Sequence, residues 1–74
     1  MPHVVVKCYS GRSEKELQKI ADQIAVSTAE AFRLGKNSVS VAVEPVDKEN
    51  WKDVYHNEIY GNKDTLYVEP GYEM

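Results

Sequence analysis

The 74-residue chain opens with a short β-branched run, passes through a long helical period into an alternating stretch, and ends in a segment with no clean period. His3-Val-Val-Val-Lys-Cys-Tyr9 is rich in β-branched and aromatic residues and meets a turn pair, Ser10-Gly11, so it predicts a first strand. At Ser13-Glu14-Lys15-Glu16 a hydroxyl is followed three residues later by a carboxylate, the pattern by which a helix start satisfies two backbone donors reciprocally. Leu17, Ile20, Ala21, Ile24, Ala25, Thr28, Ala31 and Phe32 then repeat at helical spacing, with Lys15, Lys19, Asp22, Glu30 and Arg33 on the other faces. The helix is expected to stop near Leu34-Gly35, where glycine takes a left-handed cap without strain.

Asn37 to Glu44 alternates, with Val39, Val41 and Val43 on one face and Ser38, Ser40, Ala42 and Glu44 on the other, and predicts a second strand stopped by Pro45. Strand, helix and strand with short joints make a βαβ unit, so the fold class is α/β with two parallel strands and a right-handed crossover. Beyond Asp47 the pattern weakens. Glu49 to Tyr55 reads as a short helix turning Trp51, Val54 and Tyr55 inward, Gly61-Asn62 as its break, and Lys63 to Glu69 as either strand or helical turn. Pro70-Gly71 makes a last turn before Tyr72. The whole is read as one domain, 1–74, with a βαβ core at 2–46 and a C-terminal segment at 47–74.

Size changes the picture, because a chain this short buries only about 60 % of the surface its unfolded form exposes. The single cysteine, Cys8, excludes an internal disulfide, and His3 and His56 are too far apart in sequence, with no second cysteine, for the usual clustered zinc spacing. No metal site is therefore expected. Two parallel strands under one helix also leave both sheet edges open. A second copy is the economical remedy, completing a four-stranded sheet with two helices on one face.

Charge and hydropathy narrow the partners. Twelve acidic against nine basic residues give a net charge of −3, and the basic residues scatter from Lys7 to Lys63 without forming a stripe, so nucleic acid is not expected. Apolar runs such as Val4 to Val6 fall far short of the ~20 residues of a membrane span. With the lone thiol, this reads as a cytoplasmic protein with no membrane partner.

The candidate chemistry begins at Met1-Pro2. Loss of an initiator methionine leaves a secondary amine at the head of the first strand, and such an amine works as a base near neutral pH only where an apolar setting or a nearby cation disfavours its protonated form. Arg12 is a candidate cation, but it follows the first strand and so lies at the end opposite Pro2 in its own chain. From these residues alone, each also has a structural reading: Arg12 as a solvated turn residue, Trp51 as a core or interface anchor, His3 as a hydrogen-bonded strand histidine, Cys8 as a small buried hydrophobe rather than a nucleophile. Glu44, Asp47 and Glu49 read as a solvated acidic turn.

Taken together, Pro2 directly after Met1, a first strand of this length, Gly11-Arg12-Ser13, the amphipathic helix and Ser38-Val39-Ser40-Val41 resemble the tautomerase superfamily whose type member is 4-oxalocrotonate tautomerase. The resemblance covers roughly residues 2 to 51. The ending Glu-Pro-Gly-Tyr-Glu-Met, Trp51 and the longer C-terminal segment are closer to the family's dimeric branch than to its hexameric type member.

The resemblance implies a cofactor-independent keto-enol tautomerase of βαβ fold, with Pro2 as general base on an enol or dienol of a 2-keto acid. It implies a homodimer, with a hexamer as the alternative. Arg12 matches the family arginine that binds a substrate carboxylate, often supplied by a neighbouring subunit, and Trp51 falls where the family carries an aromatic residue that keeps the pocket apolar. At Ser40 the chain departs from the type member, which has a second arginine there. Serine donates a hydrogen bond but carries no charge, and loss of a preorganised cation commonly costs on the order of 10²-fold or more in rate. The expected substrate is therefore a phenylenolpyruvate-like monocarboxylate, with Ser40, Arg12 and Trp51 as its binding residues. The rival expectations are a non-catalytic dimeric interaction module with a vestigial pocket, and a hydratase or dehalogenase acting on a short unsaturated acid.

Overall fold

The β-branched run at the head of the chain forms β1, His3–Tyr9, and the alternating run forms β2, Ser40–Val46, in a computed structural model that describes residues 1 to 74. The two strands pair in parallel with His3 opposite Ser40 and Tyr9 opposite Val46. Between them lies α1, Glu14–Phe32. This is the α/β arrangement of two parallel strands and a crossover helix read from the sequence.

Alternation of side chains along the strands separates two faces. Val41 and Val43, with Val4 and Val6 beside them in register, share the face under α1, where Leu17 and Ala21 flank the same groove. Lys7 and Tyr9 point the other way and meet the C-terminal segment: Lys7 pairs with Glu58, and the Tyr9 ring stands edge-on to Trp51 with centroids 5.2 Å apart. The sheet is thus a thin middle layer, with α1 on one side and residues 47–74 on the other.

The helix start is as read. Ser13 accepts from the Glu16 N–H while the Glu16 carboxylate reaches back to the Ser13 N–H. Its end is not. The left-handed residue is Arg33, at φ 57° and ψ 45°, whereas Gly35 is extended at φ −71°. The Leu34 N–H bonds the Ala29 carbonyl and the Arg33 N–H bonds that of Glu30, so two terminal carbonyls are satisfied before the chain reaches the glycine. The apolar stripe shifts with it: Ala29 is buried, and Phe32 is 61 % exposed.

The second strand also differs from its expected bounds. Lys36–Ser38 is a 3₁₀ turn, held by the Ser38 N–H and hydroxyl on the Gly35 carbonyl, and pairing starts only at Ser40. At the far end β2 continues through Pro45 to Val46. The ladder explains this: the Ser40 N–H bonds the Pro2 carbonyl and the Val46 carbonyl takes the Ser10 N–H, so even-numbered residues face β1. The nitrogen of Pro45 therefore lies on the open edge, where no donor is missed.

After a 3₁₀ turn at Lys48–Asn50, α2, Trp51–Val54, runs on through a π-helical turn at Tyr55–Ile59 and 3₁₀ turns at Tyr60–Thr65. The break read at Gly61-Asn62 falls at Asn62, where the backbone leaves helical geometry at φ −122°, and the turns resume to Thr65. The glycine is required by closeness: a Cβ there would lie 2.6 Å from the His56 carbonyl oxygen. Residues 63 to 65 are thus helical turn and no strand forms after Val46. Only Ala29, Val54 and Tyr55 are buried in the single chain.

Candidate active site

The parallel pair distributes the four candidate residues to its two ends. Pro2 is half-buried immediately ahead of β1, and its carbonyl accepts the Ser40 N–H at 3.1 Å. The Ser40 hydroxyl in turn lies 2.6 Å from Nδ1 of His3. Pro2, His3 and Ser40 are therefore one constellation, with Met1 fully exposed in front of it.

Arg12 and Trp51 belong to the other end. Gly11, at φ 121°, turns the chain out of β1 in a conformation open to glycine and strained for other residues. That turn delivers Arg12 to an open cleft of about 620 Å³ walled by Tyr9, Trp51 and Tyr72. The Arg12 guanidinium makes no ion pair, and its one hydrogen bond is a long 3.5 Å contact to the Tyr9 carbonyl. It is free to receive an anion. Trp51 is half-buried, and its indole N–H donates to the Tyr72 hydroxyl at 3.0 Å. Seven strand residues at about 3.3 Å each separate Pro2 from Arg12 by roughly 20 Å, too far for one small substrate to touch both within one chain.

Family comparison assigns this arrangement. The family model described as tautomerase enzyme matches residues 2–52, which begins on Pro2 and ends just past Trp51. The chain belongs to the tautomerase family. It is 38 % identical over 73 residues to a probable tautomerase of Xylella fastidiosa, covering 97 % of this chain and 89 % of that protein. It is also 38 % identical, across the full length of both chains, to the tautomerase PptA of Cronobacter sakazakii, and 32 % identical across the full length of both chains to PptA from Escherichia coli.

Membership in the tautomerase family supports a tautomerase-type, isomerase activity. No group of three or more His, Cys, Asp or Glu side chains is placed to hold a metal ion, and no helix is long and apolar enough to cross a membrane. Two wall residues of the cleft escape a reading by motif. Tyr9 ends a strand, and Tyr72 sits 21 positions after the tryptophan it caps, beyond any local period. The terminal turn at Pro70-Gly71 is the one sequence signal that the chain doubles back there.

Proposed function

We propose that the chain, after loss of Met1, is a cofactor-independent keto-enol tautomerase in which the Pro2 amine is the general base and a second copy completes the site. The observation that carries this reading is the hydrogen bond from Ser40 to the Pro2 carbonyl. A residue anchored by its carbonyl holds its nitrogen in a fixed place, and Met1, 99 % exposed, is the part that can be removed. The substrate is the enol of a 2-keto monocarboxylic acid of the phenylenolpyruvate type. The neutral amine takes the enol O–H proton, the carbonyl forms as the C–C double bond gives up its π electrons, and the resulting ammonium returns the proton to C3. Atoms and charge balance without a cofactor.

Arg12 of a second copy binds the carboxylate, which answers the separation along β1. Its freedom from ion pairs supports that role. Ser40 and His3 offer hydrogen bonds beside Pro2, and Trp51, which lies with Arg12 and so also comes from the second copy, supplies an apolar wall that disfavours the charged amine. A homodimer accommodates both requirements, and the lone thiol of Cys8 supports a cytoplasmic setting.

The test is absorbance-monitored ketonisation of phenylenolpyruvate across pH, on protein whose free proline terminus has been verified by intact mass. The expected result is a rate above buffer governed by one group titrating below the range of an ordinary secondary amine. A proline-terminated protein with no rate above buffer overturns the reading.

A further inference from the structure

The residues after the Pro70-Gly71 turn lie in no helix or strand, yet they form one side of the Arg12 cleft. Tyr72 reaches it along a chain of rings. Its own ring packs against buried Tyr55 at 5.8 Å, Tyr55 stacks on Tyr60 at 6.4 Å, and the Tyr72 hydroxyl accepts the Trp51 indole N–H. Trp51 in turn stands edge-on to Tyr9. With its N–H satisfied by Tyr72, the indole has no polar group left to offer a ligand, so this wall presents ring surface. Glu73 follows directly and also lines the cleft, where Arg12 is the cation left without an ion pair, Lys7 being engaged by Glu58.

We propose that this tail is the specificity element of the site: Tyr72 is a positioning residue that holds Trp51 as an aromatic wall, and Glu73 turns away a second carboxylate. The ligand class is an aromatic monocarboxylate, with its carboxylate on Arg12 and its ring against Trp51 and Tyr72. The inference rests on Arg12 as the carboxylate binder of the proposed function and adds what selects the rest of the molecule. An acid with a second carboxylate meets the Glu73 charge, and like charges across a small cleft disfavour binding.

Trp51 is the sole tryptophan, so its emission reports the wall directly. The experiment titrates full-length protein with 3-phenylpropanoate, an unreactive monocarboxylate, and with phenylsuccinate, its dicarboxylate counterpart, following Trp51 fluorescence in wild type, Tyr72→Phe, Glu73→Gln and Arg12→Ala. Wild type is expected to prefer 3-phenylpropanoate. Tyr72→Phe keeps the ring and removes the acceptor, and should shift free-protein emission to longer wavelength and weaken 3-phenylpropanoate about fivefold, the scale of one lost hydrogen bond. The same variant should raise KM for phenylenolpyruvate with kcat little changed, a split that general loss of folded protein does not produce. Glu73→Gln, an exposed change, should strengthen phenylsuccinate several-fold relative to 3-phenylpropanoate. Unchanged emission and affinity in Tyr72→Phe, or an unchanged preference in Glu73→Gln, overturns the proposal, as does a wild type that binds neither acid. Binding that persists in Arg12→Ala overturns the carboxylate assignment, whereas intact binding without turnover counts against the proline base alone.

Discussion

Ser40 holds Pro2 by its backbone and His3 by its side chain: the N–H donates to the Pro2 carbonyl at 3.1 Å and the hydroxyl lies 2.6 Å from His3 Nδ1. One residue of β2 thus organises the head of the chain, at the position where the family's type member carries an arginine. In the proposed mechanism a neutral hydroxyl there supplies direction without charge, and the work of neutralising a carboxylate falls to Arg12. This division of labour makes the amine the residue whose loss matters most.

Replacing Pro2 with alanine retains a free amino terminus once Met1 is removed but substitutes a primary for a secondary amine on a looser backbone. Ketonisation of phenylenolpyruvate should fall at least tenfold, within the ~10² to 10⁴ that a positioned general base contributes. Protein that keeps Met1 should be slower still, because an amide nitrogen has no basic lone pair. Steady-state rates on mass-verified samples of each form decide the point, and equal rates would remove Pro2 from the mechanism.

The end of α1 offers a test of backbone conformation. Arg33 is in the left-handed region and Gly35 is not, so glycine is needed where arginine stands and is dispensable where it occurs. Left-handed geometry costs an L-residue about 1–2 kcal/mol, partly offset by the greater unfolded freedom of glycine. Arg33→Gly should therefore stabilise by up to about 1 kcal/mol. Gly35→Ala should be nearly neutral, since its added Cβ meets only the tip of the Asn37 side chain, which can turn aside. Chemical denaturation of both variants reads the order, and a large loss in Gly35→Ala would contradict the assigned cap.

That helix end shows where the sequence is legible and where it is not. The strands, the Ser13-Glu16 capping box and the βαβ order follow from local rules, because each depends on residues within four positions of one another. Arg33 has no intrinsic preference for left-handed geometry, so only the carbonyls it leaves satisfied at Ala29 and Glu30 explain its conformation. Pro45 reads as a strand breaker until the ladder phase puts its nitrogen on the open edge. The C-terminal segment is hardest, since Tyr72 is ordered by a ring contact with Tyr55 across 17 positions and a hydrogen bond from Trp51 across 21, which no period encodes. Of the candidate site, Pro2, Arg12, Ser40 and Trp51 were visible from their motif, while the aromatic wall of Tyr9 and Tyr72 emerges only in three dimensions.

The contact between Lys7 and Glu58 ties the C-terminal segment to the sheet and carries a pH signature. The Lys7 pKa is raised chiefly by its hydrogen bond to Glu58; desolvation, the next effect in size, lowers it, and the charges of Glu58 and Glu44 raise it further. A raised folded pKa stabilises the fold fully below the ordinary lysine value of 10.5, and the contribution disappears as pH climbs through the raised value. Wild type should therefore melt above Glu58→Gln at pH 8, with the gap closing in strongly alkaline buffer. Thermal melts of the pair at several pH values test this, and a gap that stays constant would mean that the contact is not linked to the Lys7 proton. Both groups are solvent-accessible, so the effect should also shrink with added salt.

The separation of Pro2 from Arg12 along β1 leads to the sharpest test of assembly. If each site takes its amine from one copy and its guanidinium from another, Pro2→Ala and Arg12→Ala are each defective at every site of their own homodimer. Mixed by denaturation and refolding, they form heterodimers in which one site inherits both defects and the other inherits neither. With random pairing, half of the dimers are mixed and half of their sites are intact, so activity should recover to about a quarter of wild type. Each variant alone, carried through the same refolding, sets the baseline. A mixture no more active than the mean of its parts would mean that one chain supplies both groups, which β1 can permit only by releasing Pro2 from Ser40 or by a large movement of the Gly11 turn.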